Sequence, residues 1–354
     1  MKKIPSLLAK LGLVFCSVLL TLLVLEIGLR FLGPPPASAP LIPDAVLDHV
    51  KMRDFAFKSY SPDDQFSPFV VYWDKDGLVA DPEKKTVWKP EVHKRTIALM
   101  GDSFVEASQV PYAGSFAGLL NTGAKSDVFC LNWGVSSYSP MIYVPLWRTR
   151  VAQTHPAHVF LLLYENDIGD DGVYAAKATF DADGLPTRVT AKSEPFYLEW
   201  IRRSSLFRTI RFAVIKIQAS QAAKTDRNVA NAGRFQEQSP EIAGISEKCL
   251  LGLKREVEAS GAKFTILAVP SHRADISGVP ASEPPSFASR VAAWCANNGV
   301  DYIDLEEPFL RKRQEVGKPG LFFDKDIHFT APAHELVAKA IMAKYPEYFG
   351  GGGK

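Results

Sequence analysis

Five short apolar segments, beginning at Thr96, limit the fold of this chain more than any other feature: "TIALM", "VFCLNW", "HVFLLLY", "KFTILAV" and "VDYIDL". Each has the length and branched-residue content of a buried strand. Helical patterns separate them ("SFAGLLNTGAK", "EKCLLGLKREVEASG", "FASRVAAWCANNG"), and "APAHELVAKAIMAKY" follows the last. Strands that are apolar on both faces and alternate with helices predict a parallel sheet covered on both sides. The expected class is α/β: a three-layer α/β/α sandwich with a mainly parallel five-stranded sheet.

About 95 residues separate the third and fourth segments, far more than a crossover needs, which predicts an insertion at about 170–245. Within it, "FYLEWIRRSSLFRTIRFAVIKIQ" sets Phe207, Ile210, Val214 and Ile217 on one helical stripe. The favoured reading is a helix packed on the domain; the other is a second contact with a membrane surface.

The N-terminus has a different character. Lys2, Lys3 and Lys10 precede an uncharged apolar run from Leu11 to Leu25. Extended to Gly33, the helix is long enough for a hydrocarbon core of roughly 30 Å, with Glu26 and Arg30 paired near the outer interface. Basic residues cluster before the run, and after Arg30 none follows until Lys51. This predicts a cytoplasmic stretch over 1–10, one transmembrane helix over 11–33 and a periplasmic or extracellular remainder. "ASA" at Ala37–Ala39 mimics a signal cleavage site, but Pro40 follows it directly, so an uncleaved anchor is preferred. "PPPASAPLIP" predicts an extended linker over 34–44, followed by a domain over 45–349 and a flexible C-terminus over 350–354.

Lys plus Arg number 41 against 39 Asp plus Glu, a net charge of +2 that leaves no phosphate-neutralising surface, so no nucleic-acid partner is expected. Cys130, Cys249 and Cys295 are scattered and read best as buried small apolar groups. The seven histidines form no spaced cluster with cysteines or carboxylates, and no glycine pattern cradles a phosphate. No metal or other cofactor is expected.

Open α/β sheets present reactive groups beyond the carboxyl ends of their strands. The first strand ends at "GDSF", where Gly101 permits a tight turn and Ser103 reaches a helix N-terminus, as nucleophile or as helix cap. The second ends at "LNWG", where the Gly134 N–H suits an oxyanion donor or a plain turn. The third ends at "YENDIGDD", where Asn166 offers an amide donor and Asp167 can steady the loop, although an Asx turn explains both. Before the last helix, "FFDKDIHF" sets Asp326 and His328 on one side of an extended stretch, and Asp324 shares that parity. His334 reads as a cap or as packing of the final helix.

Serine, glycine, asparagine and histidine in this order resemble the SGNH, or GDSL, hydrolases, with "GDSF", "NWG", "END" and "DIH" as the matching blocks. The resemblance covers most of the chain beyond the apolar N-terminus and implies a flavodoxin-like sheet. It makes Ser103 the nucleophile, His328 the base and Asp326 its orienting acid, with Asp324 in reserve. It also implies an oxyanion hole from the Ser103 N–H, the Gly134 N–H and the Asn166 side chain. Tyr164 stands where the third block often has glycine. Lys325 occupies the acid position of a D-x-x-H form, so the D-x-H form with Asp326 applies.

The leading expectation is a membrane-anchored serine ester hydrolase that removes acyl, chiefly acetyl, groups from a carbohydrate or polysaccharide through an acyl-serine. An O-acetyltransferase using the same triad is the alternative, and a non-catalytic carbohydrate-binding or assembly protein is a reading of another class. Expected partners are the acylated substrate and the membrane around the N-terminal helix; the sequence names no protein partner.

Overall fold

Each of the five apolar segments folds as a strand, and the sheet they build continues further than they predict. A computed structural model provides the structure and describes residues 4–36, 41–64, 66–84, 88–195, 197–225, 242–270, 285–316 and 320–350. Its strands are β1 (Leu41–Asp44), β2 (Asp48–Lys51), β3 (Phe55–Tyr60), β4 (Pro68–Trp73), β5 (Val79–Ala80), β6 (Arg95–Gly101), β7 (Val128–Asn132), β8 (Pro156–Leu163), β9 (Ala178–Phe180), β10 (Pro186–Val189), β11 (Lys263–Ala268) and β12 (Asp301–Ile303). Its α-helices are α1 (Ile4–Phe31), α2 (Ser103–Glu106), α3 (Phe116–Gly123), α4 (Pro140–Leu146), α5 (Glu165–Ala175), α6 (Tyr197–Arg203), α7 (Ser205–Thr225), α8 (Gly244–Ala259), α9 (Phe287–Asn297), α10 (Glu306–Val316) and α11 (Ala331–Lys344).

The chain divides into two units, one drawn from 41–193 and 237–354, the other from 1–40 and 194–236. The larger unit holds an eight-stranded sheet in the order β12-β11-β8-β6-β7-β5-β4-β3. The five strands from β12 to β7 are parallel, and counted along the chain their order is the flavodoxin-like 2-1-3-4-5. The remaining three extend the edge antiparallel. The expected five-stranded sheet is therefore corrected to eight: the short edge strands are half-exposed or aromatic and lack the continuous apolar run of a doubly covered strand.

Successive side chains of a strand face opposite ways, and both faces are buried here. From β6, Ala98 and Met100 enter one core with residues of α4, α8 and α9; Ile97 and Leu99 enter the other with residues of α3, α10 and α11. Leu41–Asp44, expected as the end of the linker, instead pairs with β2. The expected insertion is shared: α5 and the β9–β10 hairpin belong to the sheet unit, whereas α6 and α7 group with α1. Residues 1–3, 37–40 of the linker, 226–241 of the insertion and 351–354 of the tail lie outside the described residues.

In the smaller unit α1 is apolar over Leu7–Phe31, with mean hydropathy 2.5 in its most apolar stretch, and its side chains are exposed. Arg30 Nε donates to Glu26 at 2.9 Å, the expected pair. Cys16 on α1 is exposed, whereas Cys130, Cys249 and Cys295 of the sheet unit are buried free thiols.

Candidate active site

The turn from β6 into α2 sits beside the switch point of the sheet, where β6 has β7 on one side and β8 on the other. Gly101 makes the turn with φ +153°, and a Cβ there would lie 2.3 Å from Val105 Cγ2 and 2.8 Å from the Leu162 carbonyl oxygen. No larger residue fits. Asp102 caps the helix: its Oδ1 accepts from Phe104 N–H at 2.9 Å, and its main-chain oxygen accepts from Val105 and Glu106. Ser103 is consequently the first helical residue and not the cap, and its hydroxyl is available for another partner.

That partner is His328. Ser103 Oγ lies 2.7 Å from His328 Nε2, and His328 Nδ1 is hydrogen-bonded to Asp326 Oδ1. Asp326 Oδ1 also accepts from His328 N–H at 3.0 Å, which ties the carboxylate to the backbone of its own loop. Burial raises the Asp326 carboxyl, but the bonds from His328 and its positive field outweigh that effect and leave it below the ordinary value. Asp326, not Asp324, therefore reaches the imidazole. Asp324 is exposed, and its main-chain N–H and that of Lys325 are held by the two carboxylate oxygens of Asp63 at 2.9 and 3.1 Å.

The wall beside the imidazole is aromatic. Phe104 lies 4.9 Å from His328, centroid to centroid, and 4.7 Å from Tyr164, so Tyr164 packs behind Phe104. His334 is buried against Phe116 and Phe329 and is packing, as expected; burial first, then His328, pushes its pKa down to about 3.

Asp102 was no candidate in the sequence, yet it is 1% exposed and its Oδ2 lies 3.4 Å from Ser103 Oγ. Burial raises its pKa to about 6 against the Phe104 bond and the field of His328. Asp167, fully buried, accepts from Tyr143 Oη at 3.1 Å and Tyr164 N–H at 3.2 Å; burial and then the Asp102 charge hold it well above the ordinary carboxyl value. It holds the N-cap residue at the start of α5.

Two of the three expected oxyanion donors have local acceptors. Gly134 N–H donates to Asn132 Oδ1 at 2.9 Å, and the exposed Asn166 amide donates to Asp170 at 3.3 Å. The first is an Asx-type bond from backbone to a side chain two residues back, and the second joins two side chains one helical turn apart. Gly134 nonetheless sits against α2, since a Cβ there would meet the Glu106 nitrogen at 2.3 Å. In the first turn of α2, Phe104, Val105 and Glu106 N–H all have acceptors on Asp102; among the described residues the Ser103 N–H is the one left open.

Two buried charges beneath the Gly134 loop also escaped the sequence. Glu106 Oε2 accepts from Ser136 N–H at 2.8 Å and from its hydroxyl at 2.9 Å, and Lys51 Nζ donates to the Gly134 carbonyl at 2.6 Å. Burial pushes the Lys51 ammonium down to about 8 against the pull of Glu106 and Asp74. Neither residue belongs to a pattern that a sequence displays, because their partners lie on other elements.

No family model matches this chain, and no curated protein matches it in sequence. Among solved structures it is similar to a member of the lipolytic protein G-D-S-L family from Veillonella parvula, at 15% identity and TM-score 0.40 over 71% of this chain and 98% of that one. It is likewise similar to a catalytic mutant of an acetylxylan esterase from Geobacillus stearothermophilus, at 12% identity and TM-score 0.42 over 71% and 93%. A third is the lipase/acylhydrolase from Enterococcus faecalis, at 13% identity and TM-score 0.38 over 72% and 96%.

Proposed function

We propose that this chain is a membrane-anchored serine ester hydrolase of the SGNH type. The observation that carries the proposal is the line Ser103, His328, Asp326, with Oγ at 2.7 Å from Nε2 and the carboxylate on Nδ1. Three residues from two distant parts of the chain, joined in the order nucleophile, base, orienter, meet the geometric demand of nucleophilic catalysis. Structural packing alone gives no reason for a capped helix to turn its first hydroxyl to an imidazole.

In the proposed reaction Ser103 Oγ attacks the ester carbonyl while His328 Nε2 takes the hydroxyl proton, and Asp326 holds the Nδ1–H tautomer and favours the imidazolium. The tetrahedral oxyanion is met first by the Ser103 N–H. The Gly134 N–H and Asn166 amide join if each exchanges its local bond for the stronger one to an anion. Collapse breaks the ester C–O bond, and His328 returns the proton to the departing alcohol. Water, deprotonated by the same imidazole, then releases the acid and restores Ser103.

The substrate we propose is an acetylated carbohydrate: the four-block resemblance implies such esters as readily as lipid esters, and placement on the outer side of a membrane crossed by α1 favours the carbohydrate. The purified full chain should react with a fluorophosphonate at Ser103 and release acetate from a p-nitrophenyl ester without an added acceptor. Ser103→Ala should do neither. An intact wild-type chain that fails to label would sink the enzyme reading. Release of p-nitrophenol that depends on an added oligosaccharide, with the acetyl group recovered on the sugar and not as acetate, would turn the assignment toward acyl transfer.

A further inference from the structure

The two sides of α7 are turned the wrong way round for a helix packed in water. Ser205 and Arg208 are 6% and 9% exposed, whereas Phe207, Ile210 and Val214, on the other side, are 39%, 54% and 44% exposed; Arg211 is exposed on that side too, less than two turns from the helix start, where its long stem can carry the guanidinium to an interface. A helix of a water-soluble domain buries its apolar stripe and shows the polar side. The reverse is the order of helices in lipid, where polar groups turn inward to protein partners.

The inward partner is Glu26 of α1. Its carboxylate accepts from the Ser205 and Leu206 N–H groups, each at 2.9 Å, and from Ser204 Oγ at 2.8 Å, in addition to Arg30. Two of the donors that any helix start leaves open are thereby satisfied. Arg208 Nη2 adds a second tie to the Pro35 carbonyl at 3.2 Å. Glu26 lies about five residues before the end of α1, roughly 7 Å of rise, which holds the start of α7 near the outer end of the span. Trp200 on α6, 75% exposed, suits a membrane-water interface.

We propose that α7 is a membrane-embedded extension of the anchor, with α6 at the interface, the face of Phe207, Ile210 and Val214 among the lipid acyl chains and Glu26 as its internal clasp. The occupant of that face is lipid, because α1, joined to α7 through Glu26, exposes apolar side chains around its own surface. The inference rests on reading α1 as a membrane span and is independent of the catalytic assignment.

The full chain, with Cys16→Ser, is reconstituted in nanodiscs of phosphatidylcholine and phosphatidylglycerol and carries a nitroxide at Ile210→Cys or Val214→Cys; the three remaining cysteines are buried. Collision with molecular oxygen is compared with collision with a water-soluble nickel chelate, and a label at Leu19→Cys reports on α1. Oxygen preference at 210 and 214 like that at 19 is the expected result. Preference for the nickel chelate at 210 and 214, with oxygen preference at 19, would overturn the embedding while leaving the span intact. Nickel preference at 19 would bring down both. Glu26→Leu should shift 210 toward the nickel chelate and Glu26→Gln should not; no shift in Glu26→Leu would refute the clasp.

Discussion

Asp102 does two things one residue before the proposed nucleophile: it caps α2, and it places a carboxylate 3.4 Å from Ser103 Oγ. Burial holds its pKa at about 6, above the unfolded value, so it contributes most to stability below about pH 4 and loses that contribution as pH rises to about 6. Asp102→Asn keeps a capping oxygen and removes the charge. The variant should be more stable than wild type at pH 7.5, with the gap closing toward pH 4 in denaturant titrations. Its kcat should fall about tenfold, because the negative field that helps His328 carry a proton is lost. A stability gap independent of pH would mean that burial does not set the Asp102 charge. At the orienting position, Asp326→Asn should lower kcat by about 10⁴ with little change in KM, the signature of a lost tautomer.

At the scale of elements, the loop that carries Asp326 and His328 is a passenger on the edge hairpin. Asp63, between β3 and β4, accepts the main-chain N–H groups of Asp324 and Lys325, and those residues lead directly into Asp326 and His328. Asp63→Ala should reduce kcat about tenfold with KM nearly constant, and hydrogen exchange should quicken at 324–328 while the rest of the sheet is unchanged. Unaltered exchange there would show that the hairpin does not hold the loop. The β6–α2 turn is less tolerant: Gly101→Ala puts a methyl into Val105 and the Leu162 carbonyl and should cost about 3 kcal/mol or more, measurable as loss of the unfolding transition midpoint.

Across the whole sheet unit, Lys51 joins β2 to the Gly134 loop, and its lowered pKa gives the fold a pH signature. Between about 8 and the ordinary lysine value the unfolded chain binds more protons, so this contribution to stability rises with pH across that window. Wild type should gain on Lys51→Met by on the order of 2 kcal/mol between pH 7 and pH 10, read from urea midpoints. A difference that stays flat would place the Lys51 ammonium in contact with water.

The parallel half of the sheet and the candidate Ser103, His328 and Asp326 were legible in the sequence because both are written in local pattern. Residues such as Ile97 and Ala98 are apolar on both faces of one strand, and the D-x-H spacing sets an acid two residues before the imidazole, although 324–328 folds as turn and bend and not as the extended stretch expected. Period and spacing need no knowledge of what lies across the fold. Tertiary structure alone decided the rest. The antiparallel edge depends on strands too short or too exposed to carry a pattern. The choice of Asp326 over Asp324 depends on which carboxylate the loop turns inward. Asp102, Glu106, Lys51 and Asp63 acquire their roles from partners on other elements, and a charge that is solvated in sequence becomes a functional group only when folding removes its water.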